Sequence, residues 1–331
     1  MLEKLSEVYE MYDMEILGTG RGRGAIILKT DKGIRQLMPL SGTDKRLDEE
    51  RDFKERLYAA GFVHIDRPVA NIEGELVTWD RYGTPFAMRE YFEGRECQPD
   101  RREDLQTAAG NLAELHVKAA EIYEAENENE LQSPFCSFKR KTREMKKIRA
   151  FISRRPVKNE FELLYIKAYD YFYRQAVACE DIFRCAAADD MEHVGYCHGA
   201  YTYHSLLFCD GYMATIGFDR FHAGYQLVDL YQFIRKVMEK NNYNFELIIK
   251  ILEEYNRIIP LRKNDYEFIY MMYSYPEKFW KISNRYMNVR KSWISPVNME
   301  KLLKVISDEQ EKQKILSEFS CYYGVHKKEF K

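Results

Sequence analysis

Several things that would assign a function at once are missing from this sequence. Its seven cysteines, in 331 residues, form no Cys-x-x-Cys pair. The odd count and absent spacing exclude a zinc ribbon and predict reduced thiols, as in a cytosolic protein. Five of the seven histidines, His116, His193, His198, His204 and His222, are scattered with no i, i+4 pair, so no metal centre is expected. No run of about 18 uncharged apolar residues occurs, which predicts no membrane-spanning helix. The opening MLEKLSEVYEMYDME is charged from its third residue, so no signal peptide is expected and the chain is expected to be made and kept in the cytoplasm. An excess of either charge is missing too: 51 Lys and Arg stand against 53 Asp and Glu. That balance predicts neither nucleic-acid binding nor an acidic tail. No internal repeat is visible.

What is present is a switch in hydrophobic period. Ile16-Leu17 runs into GTGRGRG, followed by the apolar strand Ala25-Ile26-Ile27-Leu28, the turn Asp31-Lys32-Gly33 and the alternating Ile34–Met38. A charged helix is predicted from about Thr43 to Ala60, with Gly61 stopping it. Strands over Val69–Ile72 and Glu75–Trp79 flank the Glu73-Gly74 turn, and a last strand covers Phe86–Tyr91. The sum is a sheet of about five strands with one helix after the third. From Asp100 onward the period becomes helical: Leu105, Ala108, Leu112, Leu115 and His116 share a face. Pro134 opens a basic helix, Glu160 to Cys185 forms another, and strand signals return only between Tyr196 and Phe218. The expectation is an α+β chain of two lobes: a small antiparallel β lobe over residues 1–92 and a mostly helical lobe over 93–331. Ligands usually sit between such lobes.

One constellation carries chemical meaning. Cys197-His198-Gly199-Ala200-Tyr201-Thr202-Tyr203-His204-Ser205-Leu206-Leu207-Phe208 is followed by Ala214-Thr215-Ile216-Gly217-Phe218-Asp219-Arg220 and then by Asp229-Leu230. This resembles the core of aminoglycoside phosphotransferases, which reads His-Gly-Asp, an Asn five residues on, an Ile-Asp, and an Asp-Leu thirteen residues after the Ile. The spacing here is the same at each step. The segments GRGRGAIILKTDKGIRQL, SGTDKRL, AMREYFEGREC, DLYQFIRKVMEK and YPEKFWKISNRYMNVRKSWI resemble, in order, the CotS-type spore coat proteins. The resemblance implies a protein-kinase-like (aminoglycoside phosphotransferase-like) two-lobe fold, with spore coat proteins as partners. It implies mother-cell synthesis and then spore coat association.

The departures from that pattern are chemical. Phosphoryl transfer needs phosphate neutralisation, metal ions and a group that orients the nucleophile. Aligned to the family, the strand lysine is Met38, the base after His-Gly is Ala200, the metal-binding Asn is Ser205 and the metal-binding Asp is Gly217. A hard cation needs oxygen ligands, and a lost general base alone removes about 10²–10⁴ in rate. The degenerate loop 196–205 therefore predicts a pseudokinase with no catalytic residues, no cofactor and no bound metal. Asp219 is the candidate replacement ligand, since strand alternation would place i and i+2 on one face. Under an active alternative, ATP and magnesium would be used on a small molecule or sugar; a third reading is a nucleotide- or metabolite-sensing module without turnover. Gly18, Gly20, Gly22 and Gly24 form a vestigial phosphate loop or a plain tight hairpin. His198 is expected to orient its loop by hydrogen bonds, and Asp229 is expected to be buried at the start of a helix.

Two further features remain. Lys139 to Arg155 holds nine basic residues against the single acid Glu144. This is read as a solvated helix face, as a site for an acidic partner, or as neutralised by the upstream Glu121, Glu124, Glu126, Glu128 and Glu130. Tyr275-Pro276-Glu277-Lys278-Phe279-Trp280 and Trp293 are read as aromatic packing of the last helices. The 25 tyrosines have no functional explanation at this level.

Overall fold

A computed structural model describes residues 5–22, 24–40, 42–124, 134–186, 192–288 and 296–325. After a short helix α1 (Ser6–Tyr9) come the strands β1 (Ile16–Gly22), β2 (Ala25–Thr30) and β3 (Gly33–Pro39). Helix α2 (Asp44–Ala59) follows, then β4 (Pro68–Val69), β5 (Val77–Trp79) and β6 (Pro85–Glu90). These strands make one antiparallel sheet in the order β1-β2-β3-β6-β4, with β5 also paired to β6. The two strands expected to flank Glu73-Gly74 are shorter than predicted and align on β6 rather than on each other. The reason is local: the Asn71 side chain accepts the N–H groups of Glu73 and Glu75 at 3.0 and 2.9 Å, which draws that backbone into a turn.

The sheet's two faces differ because side chains alternate along a strand. Leu28, Leu37, Phe86 and Met88 point to one face and form a core with Val8, Tyr9 and Tyr12. On the other face Ala87 packs with Leu47 of α2 and Leu76. Helix α2 starts where the Thr43 hydroxyl accepts the Arg46 N–H, and it ends at Ala60 before Gly61, whose φ of +99° suits glycine. Its buried stripe is Leu47, Glu50, Phe53, Lys54 and Leu57. Two of those five positions are charged, which an ordinary amphipathic helix avoids.

The chain then makes β7 (Arg95–Glu96) and helices α3 (Arg102–Glu121), α4 (Pro134–Arg154) and α5 (Glu160–Ala186). Strands β8 (Val194–Cys197), β9 (Leu206–Phe208), β10 (Met213–Thr215) and β11 (His222–Tyr225) come next. Helices α6 (Leu227–Met238), α7 (Phe245–Ile258), α8 (Lys263–Ser274), α9 (Glu277–Asn288) and α10 (Pro296–Tyr323) complete it. The five residues expected on the inner face of α3 are all buried. Two compact units are drawn differently from the lobe boundary at residue 92: one is Met1–Glu124 with Gly195–His222, the other Ala125–Val194 with Ala223–Lys331. Strand β7 explains the first grouping, since it pairs with β9, and β9 with β10. Within that unit Asn111 of α3 donates to the Tyr201 and Thr215 hydroxyls at 3.0 and 2.9 Å.

The second unit accounts for much of the tyrosine. Tyr165, Tyr231, Tyr255 and Tyr275 are among its largest fully buried side chains. Tyr275 stacks on Phe138 at 4.0 Å and Phe279 lies against Tyr165 and Phe172. Their hydroxyls are satisfied internally: Tyr275 by Thr142 at 3.1 Å and Tyr165 by the Met145 carbonyl at 3.2 Å. Trp280 donates to Glu144 at 2.7 Å, while Trp293 lies outside the described residues. Cys97, Cys136, Cys179, Cys197, Cys209 and Cys321 are free thiols. No helix among the described residues is long and apolar enough to cross a membrane.

Candidate functional site

A cavity of ≈260 Å³ lies within the first unit, lined by Gln36 and Met38 of β3, Arg46 and Glu50 of α2, Asp66, Arg89 of β6, Gly217 and Asp219. The sheet register builds one wall: Gln36 is paired with Arg89 and Met38 with Ala87, so Gln36, Met38 and Arg89 share the face toward α2. Behind that wall sits a charge network that reading the sequence missed. Lys54 is wholly buried, and its ammonium meets Glu50 at 2.6 Å, the Asp66 carboxylate at 2.7 Å and the Asp66 carbonyl at 2.7 Å. Those are its three donors. Arg89 grips Glu50 through two bonds of 3.2 and 2.9 Å and places Nη1 3.5 Å from the Met38 sulfur. The remaining Asp66 oxygen accepts the Gly217 N–H at 3.0 Å.

The electrostatics follow from that geometry. Burial pushes the Glu50 carboxyl up, but Lys54 and Arg89 outweigh it and bring its pKa down to about 2. Burial works against the Arg89 charge, yet Glu50, with Asp66 and Asp219 beyond it, raises its pKa. Two cations and two anions neutralise one another. Lysine and glutamate at positions 54 and 50 on the inner stripe of α2 were the sequence signal that would have found them.

The positions singled out in the sequence do not all meet here. Met38 and Gly217 line the cavity, and so does Asp219, which is exposed. Asp219 does not arrive by strand alternation, because β10 ends at Thr215 and Gly217 has φ of +82°. Ala200 and Ser205 are not among the lining residues. The Ser205 hydroxyl is closed into a turn, donating to the Thr202 carbonyl at 2.7 Å and accepting its N–H at 2.9 Å. His198 is buried: Nδ1 accepts the Ala200 N–H at 3.2 Å and Nε2 donates to the Ile216 carbonyl at 3.1 Å, which fixes its tautomer and ties the loop to residue 216. Gly18 and Gly20 lie in β1, while Gly22 and Gly24 sit at the β1–β2 hairpin and line a separate groove with Leu5, Ala25 and Phe86. Asp229 is fully buried in the first turn of α6. Among the described residues no three His, Cys, Asp or Glu side chains group as a metal centre.

Two glycines here behave differently. Gly199 has φ of +76°, and a Cβ on it would lie 2.0 Å from the Arg220 carbonyl oxygen; at Gly217 a Cβ would meet nothing. Gly199→Ala is expected to cost roughly 3 kcal/mol or more, and Gly217→Ala about 1–2 kcal/mol from the left-handed backbone alone. Urea unfolding of the two variants checks this. Equal losses would mean that the Arg220 backbone does not close on residue 199.

The family follows from a whole-chain comparison. A family model described as "Spore coat putative kinase YutH" matches residues 5–319. The chain belongs to this CotS-type spore coat family. No curated protein sequence matches it. Among solved structures, an aminoglycoside phosphotransferase from Alicyclobacillus acidocaldarius superposes with TM-score 0.80 at 16% identity, covering 96% of each chain. A spectinomycin phosphotransferase in complex with ADP and spectinomycin gives 0.68 at 11%, over 94% of this chain and 98% of that one. A choline/ethanolamine kinase family protein from Mesorhizobium loti gives 0.56 at 12%, over 93% and 92%. At such identities the likeness shows the fold: this member of the spore coat family has the aminoglycoside phosphotransferase-like kinase fold.

Magnesium and ATP, which that fold implies, do not fit the residues present. The strand position carries the Met38 thioether, and residue 217 has no side chain. Asp66 and Glu50 are already bound to Lys54 and Arg89. That leaves Asp219 as the one carboxylate lining the cavity without a basic partner among the described residues.

Proposed function

We propose that this chain is a non-catalytic member of the spore coat kinase family, a pseudokinase that acts in the coat or its assembly by binding other coat proteins. The observation that carries this reading is the closed Lys54–Asp66–Glu50–Arg89 network. Phosphoryl transfer requires a cation that reaches the phosphates and carboxylates free to hold metal. Here Lys54 spends all three donors on Glu50 and Asp66, Arg89 holds Glu50, and the remaining Asp66 oxygen takes the Gly217 N–H. Ala200 offers no proton acceptor.

Isothermal titration with magnesium-ATP tests the reading. The natural protein is expected to show no saturable, magnesium-dependent binding up to about 1 mM, where a site would release only about 4 kcal/mol. A second reading, an active phosphotransferase, is favoured by the exposed Asp219 carboxylate, which lines the cavity. Micromolar binding that needs magnesium, and that disappears in Asp219→Asn, would overturn the first reading, and phosphate release from ATP by the same protein would then establish the second.

A further inference from the structure

Helix α4 is two-faced. Phe138, Met145, Ile148 and Ile152 are buried, and the helix packs against α5 and α9. On its other side Lys139, Arg140, Arg143, Lys146, Lys147 and Arg154 are exposed. Steps of three and four residues place them along one stripe. None of the six has a carboxylate partner among the described residues. The single acid within the run, Glu144, takes the Trp280 indole N–H, and Lys141 turns to Glu277 at 3.3 Å. The upstream glutamates do not supply the missing counter-charge as far as they are described. Glu121 pairs with Lys118 at 2.9 Å and Glu124 with Arg56 at 3.0 Å, while Glu126, Glu128 and Glu130 lie outside the described residues.

Helix α9, which packs against α4, carries further exposed cations, Lys281 and Arg285.

We propose that the outer face of α4 is a docking surface for an acidic polypeptide segment laid along the helix. This goes beyond the reading of the cavity and does not depend on it. At 1.5 Å per residue the stripe from Lys139 to Arg154 is about 22 Å long, matching roughly seven residues of extended chain at about 3.3 Å each. The whole chain has a formal charge of −2, so attraction is confined to within about 8–10 Å of the stripe at physiological salt. That favours a short flexible segment over a large polyanion such as duplex nucleic acid. A bilayer is disfavoured because interfacial helices bury a broad apolar face in lipid, and Phe151 is the one large apolar side chain of α4 exposed among the described residues.

Fluorescence anisotropy with a fluorescein-labelled oligoglutamate of that length tests the proposal. The full chain is compared with a variant carrying Lys139→Glu, Arg140→Glu, Arg143→Glu, Lys146→Glu and Lys147→Glu. The natural protein is expected to bind the peptide and to weaken with added salt. The variant is expected to lose about tenfold or more, because several weak exposed pairs are removed together. Equal affinity in the two proteins overturns the proposal. So does tighter stripe-dependent binding of phosphatidylglycerol vesicles or duplex DNA than of the peptide. A milder set with Gln at the same five positions separates loss of charge from loss of fold; it is expected to keep the thermal midpoint and still weaken binding. Replacing Glu126, Glu128 and Glu130 by Gln is expected to leave the affinity unchanged. A tenfold gain there would make that upstream segment the occupant and sink the inter-chain reading.

Discussion

Lys54→Met is expected to destabilise the protein by about 3–5 kcal/mol, the usual cost of removing one partner from a buried ion pair. Methionine nearly matches the lysine stem in length, so little packing volume is lost. The loss is electrostatic: Glu50 keeps Arg89, but Asp66 is left buried with only the Gly217 N–H. Urea unfolding gives the free energy. The decisive measurement is the double variant Lys54→Met with Asp66→Asn. Asparagine retains a carbonyl oxygen for Gly217 and carries no charge, which leaves Glu50 and Arg89 as a balanced pair. The double variant is therefore expected to be more stable than Lys54→Met alone, against simple addition of the two losses. Additive losses would show that Lys54 and Asp66 do not act as one unit.

Acid should weaken the same network. The Glu50 carboxyl titrates near 2 in the folded chain against 4.5 ordinarily. A group whose folded pKa is depressed contributes stability at pH values above its ordinary pKa and loses that contribution as pH falls toward the folded value. The window is thus pH 4.5 down to about 2. The contribution lost across it is about 3 kcal/mol, at about 1.4 kcal/mol per pH unit. Urea unfolding of the natural protein between those pH values is expected to show a steeper fall than the same series on Glu50→Gln. The other carboxylates held down by basic partners, Asp104 and Glu277, contribute to both series and cancel in the comparison. Parallel curves would mean that Glu50 does not titrate in this range.

Together these expectations give the candidate site a structural meaning. An Arg from β6 holds the glutamate of α2, while Met38 occupies the strand position assigned to a lysine. The result is a neutral, internally bonded cluster. The cavity in front of it is lined also by Asp219 and Arg46. The outer face of α4 is the reverse case, with cations that the described chain does not neutralise.

The sequence by itself determined the architecture of the first strands, the helix from Thr43 to Ala60, the inner face of α3, and the family. Those features rest on local period and capping, which neighbouring residues encode, and on motif segments read in order along the chain. It also singled out Met38 and Gly217, which line one cavity in the folded chain. Tertiary structure alone decided what surrounds them. Glu50, Lys54, Asp66 and Arg89 come from a helix, a loop and a strand, and their pairing depends on the β3–β6 register and on which face of α2 turns inward. Asp219 reached the cavity through a left-handed glycine rather than along a strand, and Ser205 turned away into its own hydrogen-bonded loop. Ion pairing between distant segments leaves no periodic trace. The one local hint was two charges on the buried stripe of α2, and only the folded chain shows what satisfies them.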